Sequence, residues 1–96
     1  MSKKRVVITG MGTINPAGHN VKEYWDRLLS GKSCVGNIER FDVSNYSTKI
    51  AAEVKNFDLL KFFDKKEIRR TSNFILFADY AAKQAIEDSG IDISKD

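Results

Sequence analysis

The most constraining feature of the sequence is the segment 73–89 (NFILFADYAAKQAIEDS), which is followed by Gly90. Asp79, Lys83 and Glu87 recur every four residues and would form one narrow charged stripe along a helix. The apolar residues that cover most of the remaining circumference are Phe74, Ile75, Phe77, Ala78, Ala81, Ala82, Ala85 and Ile86. A helix that is apolar around most of its girth is buried on several sides. Its small alanines favour close packing against another helix or backbone.

The N-terminal run Val6-Val7-Ile8-Thr9 places a second demand on the fold. It is rich in β-branched residues without polar alternation, which is typical of a central strand buried on both faces. Segment 50–54 (IAAEV) predicts a second strand, whereas residues 32–49 lack periodicity and are expected to be irregular. An isolated two-stranded sheet is marginal, so these few elements cannot cover both the first strand and the last helix. We therefore expect the chain to be the front portion of a larger α/β domain, or to be completed by a partner.

Capping residues mark two further helices. Asn20 with Glu23 three positions later is a capping pair, and Gly31 is well placed to end the helix that follows. The apolar face of that helix consists of Val21, Tyr24, Trp25, Leu28 and Leu29. Asp64 and Glu67 repeat the capping arrangement, which predicts a short helix there.

The net charge of +3 is unevenly distributed. Lys3, Lys4 and Arg5 form one basic cluster, and residues 61–70 (KFFDKKEIRR) form a second, with five basic and two acidic residues. The remainder is mildly acidic, which argues against a nucleic-acid binder with a continuous basic face. Much of the charge of the second cluster falls on one side of a helix, on Lys65, Lys66, Arg69 and Arg70.

Two interpretations of residues 61–70 remain open from charge alone. One is a solvated helix face, the usual role of a charge run. The other is a docking surface for an acidic partner, guided by electrostatics. In either case, we expect Phe62 and Phe63 to attach the segment to the body of the protein.

Other chemistry-bearing residues are few. Cys34 is the only cysteine and has no charged neighbour, so we interpret it as a structural thiol in a reducing compartment, the cytoplasm. His19 is the only histidine, which predicts no metal site. Gly10 and Gly12 begin a dinucleotide-binding fingerprint, but Asn15 stands at the third glycine position, so a tight turn after the strand explains them better. The short apolar run at the N-terminus fits neither an export signal nor a membrane span.

Ordered motifs run along nearly the whole chain. They are Arg5-Val-Val-Ile-Thr-Gly-Met-Gly, Asn15-Pro16-x-Gly18, Trp25-x-x-Leu28-Leu29-x-Gly31, Phe41-Asp42, Tyr46-x-Thr48-Lys49, Val54-Lys55-x-Phe57, Lys65-Lys66-Glu67-x-Arg69-Arg70, and Tyr80-Ala81-Ala82 with Asp88-Ser89-Gly90. Each motif alone is weak. The ordered set resembles the N-terminus of the elongating β-ketoacyl-acyl-carrier-protein synthases, type II in particular.

The resemblance implies a thiolase-like α/β fold with α-β-α-β-α layers, in which residues 1–96 form the N-terminal segment of the first half. It implies an acyltransferase that acts as a homodimer and needs no cofactor. Such an enzyme elongates fatty acids by decarboxylative Claisen condensation of malonyl-carrier protein with an acyl thioester. In the family, the catalytic cysteine and two histidines lie farther along the chain. We therefore expect no catalytic residue within these 96 residues and no activity from them alone.

The resemblance also bears on the basic segment. Family positions that match Lys66, Arg69 and Arg70 help to bind the acidic helix of acyl carrier protein, and Lys65 is adjacent. This implies that the segment is a carrier-protein docking site. Two alternatives remain open: a non-catalytic partner subunit resembling a chain-length factor, and a free-standing carrier-binding module.

Overall fold

Three helices and one small antiparallel sheet form most of the regular structure in the computed structural model, which describes residues 3–95. In chain order the elements are α1 (Val21–Ser30), β1 (Val35–Asn37), β2 (Ile50–Ala52), α2 (Lys65–Arg70) and α3 (Asn73–Ser89). Short 3-10 turns span Leu59–Lys61 and Ile93–Lys95. All three helices predicted from the sequence are present.

The capping residues set the helix ends as the sequence predicts. The side chain of Asn20 accepts a hydrogen bond from the backbone N–H of Glu23 at 2.8 Å, which begins α1. Gly31 ends it with a φ of 70°, a conformation that other residues adopt at a cost. The Glu23 carboxylate accepts from the N–H of His19 at 3.0 Å, so it reaches one residue before the capping residue itself. Gly90 ends α3 in the same left-handed conformation as Gly31.

Both strands of the sheet differ from the sequence prediction. β1 and β2 are antiparallel, with Gly36 opposite Ala51. Residues 35–37 were expected to be irregular, and that expectation is wrong, because a three-residue strand has no periodicity and is defined by its partner. β2 stops at Ala52 instead of continuing to residue 54. The next residue, Glu53, turns its carboxylate to accept from the N–H groups of Glu39 and Arg40 at 3.0 and 3.3 Å.

The predicted first strand is wrong for the described residues. Val6, Val7, Ile8 and Thr9 form no strand, and the side chains of Val6 and Ile8 are 93% and 82% exposed. The physical reason is pairing, because β1 and β2 hydrogen-bond only to each other among residues 3–95. A β-branched run has no ladder to join without a neighbouring strand.

The chain after this segment packs closely on α3. A Cβ atom at Gly10 would lie 2.3 Å from the carbonyl oxygen of Ala85, and one at Gly12 would lie 2.0 Å from that of Ala81. The prediction that the alanines of α3 pack closely against another segment of backbone is therefore confirmed. The turn expected at the two glycines is wrong, since residues 10–14 form no turn and neither glycine has a positive φ. They are needed for close approach to the helix.

The described residues bury few large side chains. Phe63 and Leu76 are the buried apolar residues, at 5% and 3% exposure. The expectation that α3 is covered on several sides is wrong within residues 3–95, because Phe74 and Ile75 on the same helix are exposed. The apolar surface of α3 is therefore larger than the part that the other described elements cover.

The contact between Gly12 and α3 generates a testable prediction. Gly12→Ala should lower the free energy of unfolding by about 1–3 kcal/mol, because the added methyl group must displace the backbone of a helix. The matched control is Gly36→Ala, whose Cβ would meet nothing nearer than the Lys55 Nζ atom at 4.0 Å. Urea denaturation of both variants measures the difference. Equal stability of the two variants would contradict the close approach.

Candidate functional site

The short helix α2 carries most of the second basic cluster. The Asp64 side chain accepts from the N–H of Glu67 at 2.8 Å and so begins the helix. Ile68 then donates its N–H to the Asp64 carbonyl oxygen at 3.2 Å. Thr71 is extended and ends the helix after six residues. The predicted helix is confirmed. Its capping side chain is negatively charged and lies at the N-terminal end, where the helix dipole is positive.

The basic side chains of α2 face solvent. The four exposed side chains, which we call the α2 cations, are Lys65, Lys66, Arg69 and Arg70. The ion pairs found within residues 3–95 are Lys22–Asp26, Lys55–Glu39 and Lys83–Asp79, so the α2 cations take part in none of them. Four like charges on fewer than two turns, none of them in these ion pairs, form a strongly positive surface. Such a surface attracts an acidic partner over a distance of about 8–10 Å at moderate ionic strength.

An aromatic cluster holds the chain just before α2. It consists of Phe57, Phe62, Phe77 and Tyr80. The Phe57 ring lies 5.3 Å from that of Phe62 in a stacked arrangement and 4.8 Å from that of Tyr80. Phe62 also meets Tyr80 edge-to-face at 4.8 Å. Phe77 contributes a further ring 5.8 Å from Phe57. The predicted attachment of residue 62 to the body is therefore confirmed.

Phe63 is attached separately. It is buried, and the Nζ atom of Lys83 on α3 lies 5.3 Å from the centre of its ring. Lys83 is also 3.6 Å from the Asp79 carboxylate. The sequence assigns this lysine to a charged stripe of α3 and misses its contact with Phe63, because twenty positions separate the two residues and no local pattern connects them.

The remaining sequence candidates, His19 and Cys34, lie outside α2. The Nε2 atom of His19 forms a 2.7 Å hydrogen bond with the backbone carbonyl oxygen of Lys55, so this nitrogen acts as a donor. Cys34 is a free, half-buried thiol just before β1. Within residues 3–95 no hydrogen bond joins the imidazole to the thiol.

A glutamine missed by the sequence reasoning organises the loop that carries His19. Gln84 on α3 accepts from the N–H of Thr13 at 3.1 Å and donates to the His19 carbonyl oxygen at 2.6 Å. Met11 donates its N–H to the Asp88 carboxylate one turn farther on. Gln84 lies beside the charged residues Lys83 and Asp88, and no local sequence pattern indicates this role. These bonds fix residues 11–19 against the helix.

No group of three or more His, Cys, Asp and Glu side chains within residues 3–95 is arranged to hold a metal ion. Over the same residues, no helix has both the length and the apolar character needed to cross a bilayer.

Comparison with known proteins decides the family. A family model described as beta-ketoacyl synthase, N-terminal domain, matches residues 3–96. The chain belongs to this family. The resemblance drawn from the ordered motifs is thus confirmed.

Individual relatives agree with the family match. The chain is 50% identical over 95 residues to a 3-oxoacyl-[acyl-carrier-protein] synthase 2 of Coxiella burnetii, covering 99% of this chain and 23% of the relative. It is 45% identical to a protein of the same name from Vibrio cholerae, covering all of this chain and 23% of that protein. The chain therefore spans about a quarter of the length of the curated relatives that it matches.

A solved structure supports the fold of this beta-ketoacyl synthase segment. The ishigamide ketosynthase/chain length factor matches with a TM-score of 0.83 and 30% identity, covering 97% of this chain and 23% of that chain. The predicted fold class is confirmed: the segment has the α/β fold of the N-terminal part of a thiolase-like protein.

The capping residue of α2 generates the second prediction. Asp64→Ala should destabilise the helix by about 1 kcal/mol, because the N–H of Glu67 loses its acceptor. Asp64→Asn is the matched control, since asparagine caps equally well while removing the same charge. Amide hydrogen exchange at Glu67 measures the effect. Faster exchange in both variants would indicate that charge, and not the hydrogen bond, holds the helix end.

Proposed function

We propose that residues 1–96 are the N-terminal segment of the first thiolase-like half of a 3-oxoacyl-[acyl-carrier-protein] synthase. The parent enzyme is an acyltransferase. It condenses malonyl-carrier protein with an acyl thioester by a decarboxylative Claisen reaction and elongates fatty acids by two carbons. It acts as a homodimer in the cytoplasm, without a cofactor. The observation that carries this proposal is the identity of 42–50% with relatives of that name along almost the whole chain.

The segment contributes scaffold and docking surface to this reaction. The condensation needs a thiolate nucleophile, donors for a developing oxyanion and groups that stabilise an enolate. Within residues 3–95 no hydrogen bond joins the Cys34 thiol to the His19 imidazole, whose Nε2 atom bonds to a backbone carbonyl oxygen. We assign no catalytic residue to residues 1–96, and the segment by itself is inactive.

The α2 cations are the docking site for acyl carrier protein, in its acyl and malonyl forms. They are exposed, take part in none of the ion pairs of residues 3–95 and are concentrated on one short helix, which suits an acidic protein surface. Individual exposed ion pairs are worth only about 0.2–1 kcal/mol. The α2 cations therefore act together, mainly by raising the rate of encounter and by orienting the carrier protein.

A second candidate is a non-catalytic partner subunit. The name of the matched solved structure contains both a ketosynthase and a chain length factor, and a docking surface and scaffold of this kind suit either. Radiolabelled malonyl-carrier protein distinguishes the two. A purified parent protein that releases carbon dioxide and forms a 3-oxoacyl product without another subunit is the synthase.

The third prediction tests the docking site. In the parent protein, Lys66→Glu combined with Arg69→Glu should raise KM for acyl carrier protein substrates about tenfold or more, because two attractions become repulsions. KM for the corresponding coenzyme A thioesters should stay within twofold, since coenzyme A lacks the acidic protein surface. Steady-state kinetics with both classes of substrate measures the ratio.

The control carries the same change of charge at a different place. Lys22→Glu combined with Lys32→Glu changes two exposed lysines outside α2, and the Lys22–Asp26 pair lost in this variant is highly exposed and worth little. The control should leave both KM values unchanged. An equal rise in the control variant, or an unchanged KM for the carrier protein in the α2 variant, would refute the docking assignment.

A further inference from the structure

We propose that Lys83 and Phe63 form a positioning contact that sets the direction in which α2 presents its cations to the carrier protein. The proposal rests on the proposed docking function and adds residues outside the docking surface itself. It concerns how the charges are held. Lys83 is the positioning residue, and it acts through the ring of Phe63.

The need for such a contact follows from the length of α2. A helix of six residues is far shorter than the roughly 12–15 residues at which isolated helices become even marginally stable. Its hydrogen-bonded cap fixes where the helix starts but leaves open how the whole element is oriented on the protein. The 3-10 turn Leu59–Lys61 contacts α2 but is shorter still, so a fixed orientation also requires side chains that join α2 to a longer element. The longest helix of the described chain, α3, is that element.

Phe63 is the side chain that makes this connection at the start of α2. It directly precedes the capping residue Asp64, and it is one of the two large apolar side chains that are buried among the described residues 3–95. Phe63 and the half-buried Ile68 occupy the two positions at which a hydrophobic staple fixes the entry angle of a helix. A change in the packing of this ring therefore changes the direction of the first turn of α2.

Lys83 holds the ring from the side of α3. Its ammonium group lies 5.3 Å from the ring centre, within the range in which a cation is attracted to an aromatic face. The Asp79 carboxylate, one turn earlier on α3, lies 3.6 Å from the same ammonium and limits where it can move. The charge of Lys83 is thus engaged with two groups of its own chain. This distinguishes it from the α2 cations, which take part in none of the ion pairs of residues 3–95.

The far end of α2 is tied to the same helix. Thr71 and Ser72 alone separate α2 from α3, and the Ser72 carbonyl oxygen accepts from the N–H groups of Ile75 and Leu76. With its exit fixed by this short connection, the remaining freedom of α2 is at its entry. The rings of Phe57 and Tyr80 hold Phe62 there, and Lys83 contacts the ring of Phe63, directly before the capping residue. Loss of the Lys83 contact therefore shifts the entry of α2 without releasing it.

The test compares three variants of the parent protein. Lys83→Met keeps the aliphatic length and removes the cation, Lys66→Gln removes one α2 cation, and Lys22→Met removes a control lysine that also pairs with an aspartate four residues away. Lys83→Met should raise KM for acyl carrier protein about two- to fivefold, the range that an exposed cation–π contact supports. KM for coenzyme A thioesters should not change, and Lys22→Met should behave like the unmodified protein.

Ionic strength separates positioning from direct docking. Lys66→Gln should reduce the dependence of the carrier-protein KM on salt, because one attraction that salt screens has been removed. Lys83→Met should raise KM while leaving that dependence unchanged. The double variant Phe63→Leu with Lys83→Met should be no worse than Phe63→Leu alone, since both changes remove the same contact.

Each outcome bears on one claim. An unchanged KM in Lys83→Met, a reduced salt dependence like that of Lys66→Gln, or an equal rise for both substrate classes would overturn the positioning role. Additive effects of the two changes in the double variant would overturn it too. An unchanged carrier-protein KM in Lys66→Gln would instead count against the docking function. Should Phe63→Leu fail to fold, the Lys83→Met comparison decides the question by itself.

Discussion

The contact of one aromatic ring with three others underlies the arrangement of the described chain. Phe57 lies in an irregular segment, yet its ring meets those of Phe62, Phe77 and Tyr80, and His19 packs edge-to-face against it at 5.2 Å. Through these rings the loop before α1, the chain before α2 and the first half of α3 come together. Aromatic pairs of this geometry contribute about 0.5–1.5 kcal/mol each beyond their buried area. In a chain that buries few side chains fully, such contacts are a large share of what fixes the positions of the helices.

The second half of α3 is held by a different kind of contact. Gly10 and Gly12 let extended backbone lie directly against the helix at Ala81 and Ala85, where a single methyl group would collide. The amide of Gln84 then satisfies backbone groups on both sides of the loop. Rings hold the first half of α3 and small residues hold its second half. Contacts with α3 therefore position both the loop before α1 and the chain before α2.

Local chemistry explains which parts of the fold the sequence could predict. Helix ends depend on residues within four positions of each other, so Asn20, Asp64 and the glycines at 31 and 90 mark them reliably. Strands depend on partners distant in the sequence. Residues 6–9 have the composition of a strand and form none in the described chain, while residues 35–37 have no strand pattern and form one. The α2 cations were predictable because helical spacing alone places them on one helix, whereas Phe57 and Lys83 act across long separations that carry no periodic signal.

The same division between local and distant contacts applies to the basic surface. The charge of a segment depends only on its own residues, and the short segment 65–70 would be basic in any conformation. The orientation of α2 does not depend on its own residues alone, because a helix of fewer than two turns takes its orientation from the residues it packs on. A docking surface requires both, since encounter depends on total charge but productive delivery of a thioester depends on where the carrier protein comes to rest. The buried Phe63 ring and the lysine on α3 that faces it convert a charged segment into a directed one.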